Sequence, residues 1–193
     1  MSRMAVNAPA RRAPVELATI GMVAASMALL LVRTWMPALG ATWRLVGLTT
    51  ILLAILAGSL AVGAPRGRAR LHPAIVLGVG LGAIALTTVT GGRPVPAPSA
   101  AWALPFVLLA AVSEEALFRR AAYGALERRG APVAIGATAL AFAIVHVPLY
   151  GAAVFPVDLG AGLLLSWQRW ASGSWTVPAA THAAANVWMT AMR

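Results

Sequence analysis

The stretch AAWALPFVLLAAVSEEALFRR, residues 100–120, runs from an apolar segment, Ala100–Val112, into two adjacent glutamates, Glu114 and Glu115, and then Arg119. The whole chain has only five acidic residues. A carboxylate at bilayer depth costs about 2.5–3.5 kcal/mol even on the lenient insertion scale, so an acid kept within an apolar span marks a functional site or a buried ion pair. Here two stand side by side, and Arg119 follows Glu115 at i+4 on the same helical face.

The surrounding composition makes a bilayer the solvent to reason with. Of 193 residues, 60% are hydrophobic and 10% charged, with a mean hydropathy of +0.81, well beyond an ordinary soluble domain. Several windows reach the roughly 18 apolar residues that cross a hydrocarbon core of about 30 Å. The pattern predicts an all-α fold, a polytopic transmembrane helical bundle of about seven spans (six to eight): Val15–Val32, Leu45–Val62, Pro73–Thr90, Ala100 to about Tyr123, Ala131–Pro148, Val154–Trp167 and Trp175–Met192. The short span Val154–Trp167 also suits a re-entrant segment. Arg11 and Arg12 before the first span resemble the opening of a signal peptide, but no clear small-residue cleavage site follows, which predicts a retained helix. The loop Gly91–Ser99 divides an N-terminal membrane part, residues 1–99, from a C-terminal part, residues 100–193, where the polar residues gather.

Charge sets the orientation. The net charge of +10 comes from 15 arginines, with no lysine. With a cytoplasmic N-terminus, eleven of them (Arg3, Arg11, Arg12, Arg66, Arg68, Arg70, Arg119, Arg120, Arg128, Arg129 and Arg169) fall inside and four (Arg33, Arg44, Arg93 and Arg193) outside, a positive-inside bias. Arginines clustered between apolar spans fit anionic lipid headgroups rather than nucleic acid. The expected location is the cell membrane, as a multi-pass integral protein. Cysteine is absent, which excludes thiol catalysis and disulfides. No Gly-x-Ser-x-Gly elbow offers a serine nucleophile.

Depth brings the remaining polar residues together. Glu114 lies 14 residues before Arg128 and His146 lies 16 after Gly130, or about 21 and 24 Å from the hairpin that closes there. In the last span His182 and Asn186 are four residues apart and share a face, about 12 and 18 Å from a helix start near Ser174. All four can converge on one polar pocket. A glutamate can serve as general base towards water, a histidine can position it, and a second histidine with an asparagine can donate to a developing oxyanion. Peptide-bond hydrolysis needs these roles.

Three boxes carry a family resemblance: Glu114-Glu115-Ala-Leu-Phe118-Arg119 as EExxxR, Phe142-Ala-Ile-Val-His146 as FxxxH, and His182-Ala-Ala-Ala-Asn186 as HxxxN. In this order they resemble the CPBP (CAAX protease and bacteriocin-processing, or Abi) intramembrane endopeptidases, type II CAAX prenyl endopeptidase-like. Gly162, Ser174, Trp175 and Pro178 ahead of His182 read like that family's closing segment, and the resemblance covers about Trp102–Val187. It implies Glu114 as catalytic base, His146 as its partner, His182 and Asn186 as the oxyanion or ligand pair, and Glu115 with Arg119 as a supporting salt bridge. Arg120 departs from the family, which has glycine there. The resemblance leaves the cofactor open between metal-free glutamate catalysis and a divalent metal such as zinc held by His146, His182 and Glu114. The H-E-x-x-H spacing of a zinc protease is missing.

The expected substrate is a peptide or membrane-protein tail. Arginine in place of lysine suggests a GC-rich bacterial genome, in which prenylated tails are not expected. Competing readings are a small transporter or proton relay, for which no internal repeat is found, and a noncatalytic immunity or interaction protein on the same scaffold. Read alone, Glu114–Arg120 also fits an interfacial helix end, and His146 or Asn186 an interhelical hydrogen bond. Phe142 reads as packing beneath the site and His72 as interfacial. Asp158 stays divided between an interface position and a substrate path.

Overall fold

The computed structural model describes residues 12–62, 67–89 and 103–191. The loop Gly91–Ser99, and with it the expected boundary at residue 99, lies outside them, as do Arg3, Arg11, Arg66, Arg93 and Arg193. The described residues form α1 (Arg12–Val32), α2 (Ala41–Ala61), α3 (Pro73–Val89), α4 (Ala103–Glu115), α5 (Ala131–Tyr150), α6 (Phe155–Ser172) and α7 (Thr176–Ala191), with no strand among them. Past Glu115, α4 continues through a π-helical stretch, Ala116–Ala122, and a last turn, Tyr123–Leu126.

The chain is an all-α membrane helical bundle. Val15–Met36, Ala41–Ala61 and Ala131–Tyr150 are long and apolar enough to cross a membrane, and the apolar helix Pro73–Thr87 is shorter. The remaining expected spans form helices, but their apolarity is interrupted for a reason the bundle supplies. In α6 the polar residues Ser166, Gln168, Arg169 and Ser172 are buried, so this helix turns a polar face inward. Large apolar side chains such as Leu17, Ile20, Ile75, Leu86 and Ile144 are exposed instead, the inverse of a water-soluble surface. Trp35 and Trp43 are exposed at the turn between α1 and α2, where an interfacial aromatic belt would sit.

α5 and α6 make the most extensive helix pair. A Cβ on Gly162 would stand 2.9 Å from the Cα and carbonyl oxygen of Ala139, so only glycine permits this approach. At the other end of α6, Gly173 takes φ +69°, the left-handed C-terminal conformation that favours glycine. Between the layers, Leu30, Ile51, Ile55, Leu117, Phe118, Phe142 and Val145 form the apolar core, joining α1, α2, α5 and the π-helical stretch.

α1 and α4 run antiparallel, and an ion pair closes each end: Glu16 with Arg128, and Arg33 with Glu114. Arg119 and Arg120 lie on the helical continuation of α4, inside the expected fourth span, whereas Arg169, expected beyond the sixth span, lies within α6. Arg120 donates to the carbonyls of Ser59 and Val62. It thereby caps the C-terminal end of α2, whose last carbonyls have no helical partner and carry the negative end of the dipole. That is the structural use of the residue that departs from the family's glycine. His72 accepts from the Ala74 amide at 3.3 Å and opens α3, a structural role at an exposed helix start.

Gly160 provides a control for the close approach at Gly162, because a Cβ there meets nothing within 4 Å. Gly160→Ala should be neutral or stabilising, by up to about 1 kcal/mol from helix propensity. Gly162→Ala should reverse that sign and cost about 1–3 kcal/mol through overpacking. Melting of the detergent-solubilised variants checks the pair, and equal melting would mean that α5 and α6 do not meet at this glycine.

Candidate active site

Four helices supply the polar centre, and the π-helical stretch sets its register. A π turn hydrogen-bonds i to i+5 and displaces side chains from the regular helical face, a distortion frequent at functional sites. It follows directly on Glu114 and Glu115 and carries Arg119 and Arg120. The Arg119 carbonyl accepts from Arg169 Nε at 3.1 Å, so α6 provides a donor to the distorted turn.

Arg119 is fully buried beside a fully buried Glu115, Nη1 to Oε1 at 2.9 Å. Its Nη2 donates to the Gly162 carbonyl at 3.1 Å, and its guanidinium carbon lies 4.6 Å from the centre of the Phe142 ring. One side chain therefore joins α4 and its continuation to α6 and α5 through an ion pair, a backbone hydrogen bond and a cation–π contact. The i+4 pairing read from sequence is present.

Glu114 faces two ways. Its Oε1 accepts from Arg33 Nη1 at 2.6 Å, and its Oε2 lies 3.6 Å from His146 Nε2. His146 Nδ1 is 2.7 Å from the Phe142 carbonyl. A carbonyl only accepts, so Nδ1 carries a proton and neutral His146 presents Nε2 to Glu114 as an acceptor. Glu114 Oε2 and His146 Nε2 therefore stand side by side as one polar pair. Asp158 Oδ2 lies 3.9 Å from His146 Nδ1, buried and without a hydrogen-bond partner. This sets Asp158 beside the first histidine, in the first turn of α6.

His182 goes to the other carboxylate. Its Nδ1 lies 2.9 Å from Glu115 Oε1, so Glu115 holds Arg119 and His182 on one oxygen. Phe142 stands between the histidines, its ring centre 4.5 Å from that of His146 and 5.7 Å from that of His182. Asn186 Nδ2 donates to the Val107 carbonyl at 3.1 Å, and Val107 lies two helical turns ahead of Glu114. The structure therefore brings Glu114 to His146 and Glu115 to His182, with Asn186 anchoring α7 to α4. Among the described residues, no group of three or more His, Cys, Asp or Glu side chains is disposed to hold a metal ion.

Sequence reasoning missed Arg33, although a trace of it was present. Arg119 lies at i+4 from Glu115, which leaves Glu114 with no cation on its own helix face. A buried carboxylate needs a counter-charge, and Arg33 ends the apolar part of α1.

The described residues thus set paired glutamates, an arginine and two histidines at the centre of a helical membrane bundle. Residues 96–188, just under half of the chain, match the family model described as type II CAAX prenyl endopeptidase Rce1-like, which supports a CAAX protease-like relationship. No curated protein and no solved structure gives a match.

The buried pair predicts a stability pattern. Glu115→Gln or Arg119→Gln alone strands a charge in a low-dielectric interior and should cost about 3–5 kcal/mol. The double replacement should cost clearly less than the sum, the mark of coupling. Additive losses in detergent unfolding would show that the two side chains act independently.

Proposed function

We propose that the chain is an intramembrane endopeptidase that hydrolyses a peptide bond in a membrane-associated peptide or protein tail, using water activated by Glu114 without a metal. The observation that carries the reading is the 3.6 Å separation of two buried acceptors, Glu114 Oε2 and His146 Nε2, with the histidine tautomer held by the Phe142 carbonyl. A water bound alongside this pair donates one O–H to Glu114 Oε2 and directs a lone pair away from it. As its oxygen attacks the scissile carbonyl, Glu114 takes the proton. Collapse of the tetrahedral intermediate breaks the C–N bond, and the proton passes from Glu114 to the departing nitrogen. The match to a type II CAAX prenyl endopeptidase Rce1-like model supports the same class of reaction.

Three contacts favour glutamate over metal chemistry. Arg33 bonds one oxygen of Glu114, Glu115 takes Nδ1 of His182, and Asn186 is engaged by Val107. A dication drawing on Glu114, His146 and His182 would stand against the Arg33 guanidinium. His182 gives its Nδ1 proton to Glu115 and keeps Nε2 free of that contact. The polar centre is enclosed by lipid-facing helices, which suits a substrate that arrives within or along the membrane. The N-terminus is assigned to the cytoplasmic side of the cell membrane, with the exposed arginines Arg68, Arg70, Arg128 and Arg129 against anionic headgroups.

The test uses purified protein in detergent and a proteome-derived peptide library, with cleavage products identified by mass spectrometry. Wild-type protein should yield a consistent set of cleavages. Glu114→Gln should reduce them by about 10²-fold or more while far-ultraviolet circular dichroism is retained. Metal chelators should leave the rate unchanged. Undiminished turnover by Glu114→Gln would refute the reading, and loss on chelation restored by zinc would transfer the chemistry to a metal.

A further inference from the structure

The polar centre lies towards one end of the bundle, and the exposed arginines lie at the other. Arg33 opens the turn after α1, Asp158 stands in the first turn of α6, and His146 is four residues before Tyr150, the last of α5. At 1.5 Å per residue, His146 is about 6 Å from that end of α5 and about 22 Å from its start at Ala131. Glu114, held by Arg33 and His146, belongs to the same end. Tyr150 is 58% exposed, yet its ring stacks on His146 with centres 5.8 Å apart, so a side chain that reaches the surroundings touches the site. Towards the other end the interior is filled. Arg119, Tyr123, Thr138, Ser166 and Arg169 are buried, and the hydroxyls of Thr138 and Ser166 join α5 to α6 at 3.0 Å. A polypeptide cannot cross that close-packed layer without unpacking the bundle.

Charge tells the two ends apart. Beyond the packed layer, Glu16 at the start of α1 pairs with Arg128 after α4, and the loop before α3 joins the end of α6 through the Arg70 and Leu71 amides, which donate to the Ala171 carbonyl. Arg68, Arg70, Arg128 and Arg129 are exposed at this end. Among the described arginines, only Arg33 and Arg44 flank the turn at the opposite end, and Arg33 is buried against Glu114. Arginines beside membrane spans collect on the cytoplasmic side, where anionic headgroups attract them. Resting on the hydrolytic reading above, we propose that the site opens away from the cytoplasm and cleaves a polypeptide segment presented at the extracytoplasmic face of the membrane. The segment enters beside Tyr150 and Asp158 and reaches Glu114 within the outer part of the bundle. The packed layer shuts the same site to tails held at the cytoplasmic face.

The chain has no cysteine, so a single introduced thiol reports one position. Asp158→Cys samples the site and Arg129→Cys the arginine-rich end, each treated with a charged, membrane-impermeant methanethiosulfonate in right-side-out and in inverted membrane vesicles. Asp158→Cys should react only in right-side-out vesicles and Arg129→Cys only in inverted ones. Reaction of Asp158→Cys in inverted vesicles alone, equally in both, or in neither overturns the proposal. Should Asp158→Cys fail to accumulate, Tyr150→Cys takes its place with the same outcomes. Cleavage gives a second reading. The fastest-cleaved peptide of the library, carrying a charged dye that keeps it from crossing the bilayer, should be cut in right-side-out vesicles and not in inverted ones. Cleavage confined to inverted vesicles overturns the assigned face and leaves the hydrolytic reading intact. Activity retained by Glu114→Gln in the same vesicles defeats the hydrolytic reading, and the thiol pattern then decides the direction of access by itself.

Discussion

Charge buried in a medium that cannot solvate it is the constraint on which this structure depends. Glu114, Glu115 and Arg119 are each at most 3% exposed, and every such group must find compensation inside the bundle or unfold it. Glu115 and Arg119 compensate each other within one helix. Their remaining hydrogen-bonding demand reaches outwards, to the Gly162 carbonyl on α6 and His182 on α7, so the local pair becomes the point at which separate helices are registered. Glu114 has no such local solution and draws Arg33 from α1.

The same demand explains features that would otherwise look like irregularities. Within the π-helical stretch after Glu115, the Arg119 carbonyl accepts from Arg169 on α6. Arg120, one residue on, turns to the opposite neighbour and caps α2. Gly162 lets α6 come within backbone contact of α5, and its carbonyl then meets Arg119. Close helix approach and burial of the guanidinium therefore require each other.

The arrangement divides labour between two adjacent carboxylates. Glu115 binds Arg119 and His182 through one oxygen and lies at 0% exposure, the environment of a structural anion. Glu114 shares one oxygen with Arg33 and leaves the other facing an acceptor nitrogen across a gap, the environment of a group that can take up a proton. Asp158 lies near His146 with a buried unpaired oxygen.

The sequence by itself determined the solvent and the local geometry. Apolar runs of spanning length specify helices because lipid leaves backbone groups no other partner, and the i+4 spacing of Glu115 and Arg119 specifies their pairing because a helix of fixed pitch puts them on one face. The three boxes located Glu114, His146, His182 and Asn186 for the same reason: each is a short-range pattern on one helix. Tertiary structure alone decided the contacts between those patterns. It joined Arg33 to Glu114, drew Asp158 to His146, gave His182 to Glu115 and Asn186 to the Val107 carbonyl, and moved Arg169 from an expected loop into the bundle. These are contacts across tens of residues, set by helix rotation, by a π turn that breaks the 3.6-residue period and by one glycine that fixes a helix separation. Periodicity carries no information on any of the three, because it describes the faces of a single helix and not which helix each face meets.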